Sequence, residues 1–319
     1  MAVAVEMLNI SKFFPGVVAN DNVSLSVNEG EILGLIGENG AGKSTMMNML
    51  YGMMEPDLGV IKLFGEEVRI QSPNMAIKLG IGMVHQHFML MPNLSVLQNI
   101  ILGKAPTKKG LINTKEAKEK IQEIMNTYDL PVNLDEKVYQ LSVGEKQRVE
   151  IIKALYREAK VLILDEPTAV LTPTETDKLL DVLRLLKAKG CVIIFITHKL
   201  REVMAITDKI VVMRKGLVTG SLDTSEANTE GLSDMMVGRK VNLEIDREAY
   251  HPSGHVLEVK DIHALNQRGL PALNGVSFHV SSGEVVGIAG VEGNGQTELI
   301  EVVSGMLKPT GGQIRSEEH

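Results

Sequence analysis

Three short apolar runs, Ile32–Ile36, Val161–Leu164 and Val192–Ile196, stand out along the first two thirds of the chain. Each is continuous rather than alternating, which is the pattern of a strand buried on both faces. Between and around them, Lys43–Met54 and Thr174–Lys189 read as helices. Alternation of this kind predicts an α/β domain with a mostly parallel central sheet. From about residue 87 to residue 158 the strand-like runs disappear. In that stretch Asn113-Thr-Lys-Glu116 forms a capping box that opens a helix running to about Asp129. The stretch reads as a helical insert.

The pattern then repeats. Residues 23–62 align without gaps on residues 276–315. The segment Gly30-Glu31-Ile-Leu-Gly34-Leu-Ile-Gly37 falls on Gly283-Glu284-Val-Val-Gly287-Ile-Ala-Gly290, a constant offset of 253 residues. Gly40, Gly42, Gly52, Pro56, Gly59 and Ile61 fall on Gly293, Gly295, Gly305, Pro309, Gly312 and Ile314. Such self-similarity marks two copies of one domain. The first occupies residues 1–239, a polar stretch at 240–255 with Pro252 and Gly254 reads as a linker, and residues 256–319 are an incomplete second copy.

Composition narrows the classes. Of 319 residues, 44% are apolar and 23% charged, with a formal charge of −7. This is an ordinary, mildly acidic balance without the basic field of a protein that coats nucleic acid. The single cysteine, Cys191, sits in an apolar run and reads as a small core residue. The N-terminus lacks a basic segment followed by an apolar stretch, so no signal peptide is expected. No apolar run approaches the roughly 18 residues that span a bilayer, so work at a membrane would go through a partner.

Chemistry enters at Gly37-Glu-Asn39-Gly40-Ala-Gly42-Lys43-Ser44, which fits G-x-x-x-x-G-K-[ST] directly after an apolar strand and before a helix. The glycines let backbone N–H groups wrap closely around phosphate, and the helix start adds its positive end. Lys43 is expected to reach the β- and γ-phosphates, and Ser44, followed by Thr45, to meet Mg²⁺. Val161-Leu-Ile-Leu164-Asp165-Glu166 places two carboxylates at the end of a buried strand, where open α/β sheets bind ligands. Asp165 is expected to face Mg²⁺ and Glu166 to orient or deprotonate an attacking water. Leu141-Ser142-Val143-Gly144-Glu145-Lys146-Gln147-Arg148 is a helix start in its own right, with Ser142 and Glu145 as a capping box.

This last segment closely resembles the LSGGQ-type signature of ABC ATPases, with Val143 in place of the first glycine. Other positions resemble the family's in order. Gln86 stands at the Q-loop, His198 at the switch histidine, and Ala169–Thr172 at the D-loop, with Thr172 where many members carry aspartate. Phe14 resembles the aromatic that stacks on adenine, and Phe13 competes for that place. The resemblance covers essentially the whole chain. It implies a P-loop NTPase fold of the ABC type, with ATP and Mg²⁺ as cofactors. Catalytic positions would be Lys43, Gln86, Glu166 and His198. Nucleotide would be held by Phe14, Gly37, Asn39, Gly40, Gly42, Lys43, Ser44 and Thr45, and from across a dimer by Ser142 and Gly144. Mg²⁺ would be met by Ser44, Gln86 and Asp165.

The same resemblance implies partners: two transmembrane permease subunits, an extracytoplasmic solute-binding protein and a second nucleotide-binding domain, at the cytoplasmic face of the membrane. Met83, Met89 and Met91 would line an adaptable docking groove or fill core. The tandem layout, Met236-Val-Gly-Arg239, His85-Gln-His-Phe-Met-Leu90 and Thr168-Ala-Val-Leu-Thr-Pro173 resemble the importers of nucleosides and simple sugars, the nucleoside branch above the sugar branch. Gln296 replaces the phosphate-loop lysine in the second copy, so catalysis there is expected to be poor. The chain ends at His319 before a second carboxylate pair or signature, so the facing signature is expected either from another copy of the first domain or from a missing C-terminal half. A soluble tandem ABC ATPase acting on ribosomes or DNA is the other class. It is disfavoured by the lack of heptads or a basic run between the copies. A catalytically silent module is disfavoured by the intact Lys43, Asp165, Glu166 and His198.

Overall fold

A computed structural model describes residues 2–108, 110–239, 253–266, 269–290 and 293–316. The chain divides into two compact units, Met1–Val241 and Asn242–His319.

In the first unit the three apolar runs become neighbouring strands at the centre of a six-stranded sheet. Its order is Leu217–Asp223, Lys209–Arg214, Ile32–Ile36, Val192–Ile196, Val161–Asp165 and Ile81–Val84. All pairings are parallel except that of the edge strand Leu217–Asp223. The strands Ile32–Ile36 and Val192–Ile196 are buried at every position, as sheets covered on both faces require. A second, antiparallel sheet of four strands, Val17–Asn28, Val3–Phe14, Leu58–Leu63 and Glu66–Val68, packs beside it. Cys191 lies in the core with Phe195 and Ile193, and burial pushes its thiol up to about 12.

The helices form where the sequence places them, with shifted ends. The helix after the phosphate loop is Lys43–Leu50 rather than Lys43–Met54. Gly52, at φ +75, stops it in a Schellman motif: Met53 N–H donates to the Asn48 carbonyl and Gly52 N–H to that of Met49. Pro173–Ala188 starts one residue earlier than expected, because Thr172 is its N-cap and forms a capping box with Glu175. The insert contains Val96–Ile101, Thr114–Tyr128 and Val143–Tyr156. Asn113 caps the second, but the expected capping box does not close, because the Asn113 N–H donates to the Pro106 carbonyl and Glu116 accepts from the Asn113 side-chain amide instead. It also holds a hairpin, Thr107–Lys108 with Leu111–Ile112, which the apolar pattern misses. Two-residue strands are too short to alternate, and Leu111 and Ile112 are exposed.

The second unit is a three-stranded antiparallel sheet, Pro271–Ser282, Ser253–Leu265 and Gly311–Ser316, with one helix, Gln296–Val303. Its first strand begins inside the stretch read as linker, and the rest of that stretch, 240–252, lies outside the described residues. The run 285–289, which the repeat aligns with the strand Ile32–Ile36, forms no ladder here. In the first unit that strand lies between two parallel neighbours. Among the described residues of the second unit no strands stand in their place, and Val285 and Ile288 are exposed.

Candidate functional site

The phosphate loop takes its shape from backbone collisions that only glycine avoids. A Cβ on Gly37 would run into the Met213 carbonyl, and one on Gly42 into the Ala19 carbonyl and the Asn20 amide. Gly42, at φ +100, is also the N-cap of the Lys43 helix and carries no side-chain cap. The first-turn N–H groups are therefore free to meet an anion.

Lys43 is only 6% exposed. Its ammonium donates to the carbonyls of Gly37 at 2.8 Å and Glu38 at 2.9 Å. Burial pushes this lysine below its ordinary value, and the carboxylates of Glu166 and Asp165 act in the opposite sense. Burial raises the Asp165 carboxyl, against a hydrogen bond from Ser44 that lowers it.

Strand pairing brings the remaining groups to this point. Val161–Asp165 runs parallel to Val192–Ile196 with Asp165 opposite Ile196. The residues that follow the two strands therefore emerge together. Glu166 N–H donates to the Ile196 carbonyl at 2.9 Å, and its Oε1 lies 3.1 Å from His198 Nδ1. Glu166 adopts φ +46, a left-handed backbone that aims its side chain at the cleft from the strand end. On the other side Val84 pairs with Leu164, and Gln86 follows two residues later.

One open cleft of about 700 Å³ gathers Phe14, Asn39, Gly40, Gly42, Lys43, Ser44, Thr45, Gln86, Asp165 and Glu166 in its lining. Phe14 is half-exposed there, and Phe13 is absent from the lining. Ser142 and Gly144 are also absent from it. They head the helix Val143–Tyr156, where Ser142 and Glu145 bond each other reciprocally, and Gly144 faces a separate cavity with Gln147 and Glu175.

Sequence reasoning missed two residues. Asn20 is fully buried beneath the loop and donates to the Gly42 carbonyl at 3.3 Å. Lys215 lines the cleft from a turn at φ +49, and the next residue ties that turn to the loop through Gly216 N–H to Ala41 O at 3.0 Å. Neither stands near the loop in sequence, so no local motif points to them.

The sequence profile described as "ABC transporter" matches residues 20–169 and 273–319. The chain belongs to the ABC transporter family. The guanosine import ATP-binding protein NupO of Bacillus subtilis is 50% identical over 98% of this chain and 62% of its own length. The nucleoside import ATP-binding protein NupA of Lactococcus lactis is 45% identical, over 98% and 62%. The glucose import ATP-binding protein TsgD13 of Haloferax volcanii is 47% identical, over 97% and 61%. The chain thus spans about three fifths of the length of the curated relatives it matches. A crystal structure of an ATP-binding cassette of an ABC transporter in its ADP conformation superposes with a TM-score of 0.67 at 29% identity, covering 75% of this chain and 98% of that one.

In this ABC fold the donors fit the expected cofactors. Ser44, Gln86 and Asp165, all in the cleft lining, offer oxygen ligands, the chemistry of Mg²⁺. Among the described residues no group of three or more metal-ligating side chains forms a cage. Mg²⁺ that shares its coordination with phosphates needs none. The second copy repeats the helix-capping end of the loop without the charge. Gly295, at φ +91, caps Gln296–Val303 and its added Cβ would meet the Ala272 carbonyl, the counterpart of Ala19. Val291 and Glu292 of this second loop lie outside the described residues. Of the three methionines near the Q-loop, Met83 is core, whereas Met89 and Met91 are 62% and 54% exposed. No helix among the described residues is long and apolar enough to cross a membrane.

Proposed function

We propose that this chain is the ATP-hydrolysing subunit of an ABC importer for nucleosides. The observation that carries the proposal is Glu166 lining one cleft with buried Lys43, while His198, outside that lining, meets Glu166 at 3.1 Å. Lys43 leaves its two carbonyl partners to hold the β- and γ-phosphates, while the loop N–H groups and the helix start surround them. Phe14 stacks on the base. Ser44, Gln86 and Asp165 hold Mg²⁺, which supplies neutralisation of charge on the phosphates. Glu166 orients the attacking water and takes its proton, and His198 fixes the Glu166 carboxylate.

Ser142 and Gly144 lie outside the cleft, so in this reading they serve the nucleotide of a second nucleotide-binding domain that closes on this one. Two permease subunits dock at the exposed Met89 and Met91, and a solute-binding protein delivers cargo on the far side. The protein then works at the cytoplasmic face of the membrane. Nucleosides are supported by the guanosine and nucleoside import relatives at 50% and 45% identity. Simple sugars are the second reading, supported by the glucose import relative at 47%. The Gln296 loop is the non-catalytic member of the duplicated pair.

The test is light scattering of a Glu166→Gln variant with and without ATP. A dimer that requires ATP and disappears when Lys43→Ala is added supports the composite site. A variant that stays monomeric while binding ATP refutes pairing between first domains. A variant that does not bind ATP refutes the nucleotide reading.

A further inference from the structure

Residues 85–91, which carry Gln86 into the nucleotide cleft, contain neither helix nor strand. Their peptide groups have no ladder to join, and buried peptide groups require partners. Two helices of the insert provide them. Met89 N–H donates to Glu150 Oε1 at 2.7 Å, and the Met89 carbonyl accepts from Lys153 Nζ at 3.1 Å. Glu150 and Lys153 close on each other at 2.7 Å. Two residues on, Met91 N–H donates to Asn99 Oδ1 at 2.7 Å, and the Met91 carbonyl accepts from Asn99 Nδ2 at 3.1 Å. Both sides of each residue are thus gripped. Glu150 is 2% and Asn99 3% exposed, whereas the Met89 and Met91 side chains face outward.

A solvated capping role does not explain this. Charged groups are almost never fully buried unless paired, and here the buried carboxylate spends one oxygen on a loop backbone 61 residues away. At Met89 and Met91 the loop is held by its backbone, while Leu90 packs on the core and the His85 ring meets Tyr51, so its path does not depend on what the two methionine side chains touch. We propose that Glu150, Lys153 and Asn99 are positioning residues for Gln86, fixing its reach into the nucleotide cleft by clamping the peptide groups of Met89 and Met91. This rests on the nucleotide reading above. It also makes the signature helix, which carries Glu150 and Lys153, and the Gln86 loop move as one piece.

The experiment uses the full chain and two readouts. Amide exchange at Met89 reports the clamp directly. Mn²⁺ affinity in the presence of ATP, by electron paramagnetic resonance, reports the metal end of the cleft. Wild type, Gln86→Ala, Glu150→Gln and the double variant are compared. Glu150→Gln is expected to speed Met89 exchange and weaken Mn²⁺ by about tenfold, a coupling usual within one network. The double variant is expected to bind Mn²⁺ no more weakly than Gln86→Ala alone, because Glu150 acts through Gln86. Multiplying effects in the double variant would overturn the proposal, as would unchanged Mn²⁺ affinity with faster exchange, or unchanged exchange. Lys153→Met, at a partly exposed position, repeats the cycle if Glu150→Gln does not fold. Wild-type chain that fails to bind Mn²⁺ with ATP would refute the nucleotide reading, and the positioning role with it, whatever the exchange shows.

Discussion

Replacing Lys43 by methionine separates what the lysine does for the fold from what it does for a nucleotide. Without ligand, the change removes a buried ammonium but leaves the Gly37 and Glu38 carbonyls without their donor. Losing a hydrogen-bond partner costs a buried acceptor about 1–3 kcal/mol, and relief from burying the charge opposes that cost. The unliganded melting temperature is therefore expected to change little. With ATP the terms no longer oppose. Charge-assisted hydrogen bonds contribute about 1.5–3 kcal/mol, so the variant should bind about a hundredfold more weakly. At an ATP concentration about 100 times the wild-type Kd, linkage stabilises the wild type by about 2.7 kcal/mol and the variant by about 0.4 kcal/mol. For a unit the size of Met1–Val241, each kcal/mol moves the melting temperature by about 2–4 °C. Differential scanning fluorimetry should thus show an ATP-induced rise of about 5–11 °C in the wild type and about 1–2 °C in the variant. A variant that keeps the full rise, with unliganded melting unchanged, would refute the assignment of Lys43 to phosphate.

Gly42→Ala and Gly40→Ala form a matched pair. Both sites have positive φ, but a Cβ on Gly40 meets nothing, while one on Gly42 strikes the Ala19 carbonyl. Strain alone costs about 1–3 kcal/mol, so urea unfolding should show Gly42→Ala as clearly the more damaging, and equal losses would contradict the geometry. Glu175 gives a pH test. Hydrogen bonds from the Thr172 backbone and hydroxyl hold its carboxyl below the ordinary glutamate value. Its stabilisation is present above the unfolded-state pKa and lost as pH falls through the lower folded-state value. Glu175→Gln should therefore flatten the acid limb of stability against pH, and an unchanged limb would remove Glu175 from that balance.

The central strands were legible because a strand covered on both faces must be apolar at every position, as Val192–Ile196 is. Caps at Asn113 and Ser142 were legible because each stands three residues before a glutamate, whereas Thr172 has the same spacing to Glu175 and the apolar pattern still places that helix start at Thr174. The phosphate loop and the carboxylate pair were legible as local motifs joined by strand order. What could not be read came from distant segments. Asn20 meets the loop only through tertiary packing, and Lys215 reaches the cleft from a turn beyond the last parallel strand. The clamp on Met89 joins residues from separate elements with no motif of their own. The stop at Leu50 was missed although Gly52 announces it, because the apolar pattern runs on through Met53 and Met54.

The two loops, one around Lys43 and one around Gln296, share their capping glycine, its left-handed backbone and the carbonyl beneath it. Shape and charge are therefore separate inheritances in this duplicated sequence. At the capping glycine the turn is enforced by main chain lying against main chain, which a change at the lysine position does not touch. A copy can lose the charge in one substitution and keep its capping turn. A lysine restored at Gln296 would stand behind the same capping turn.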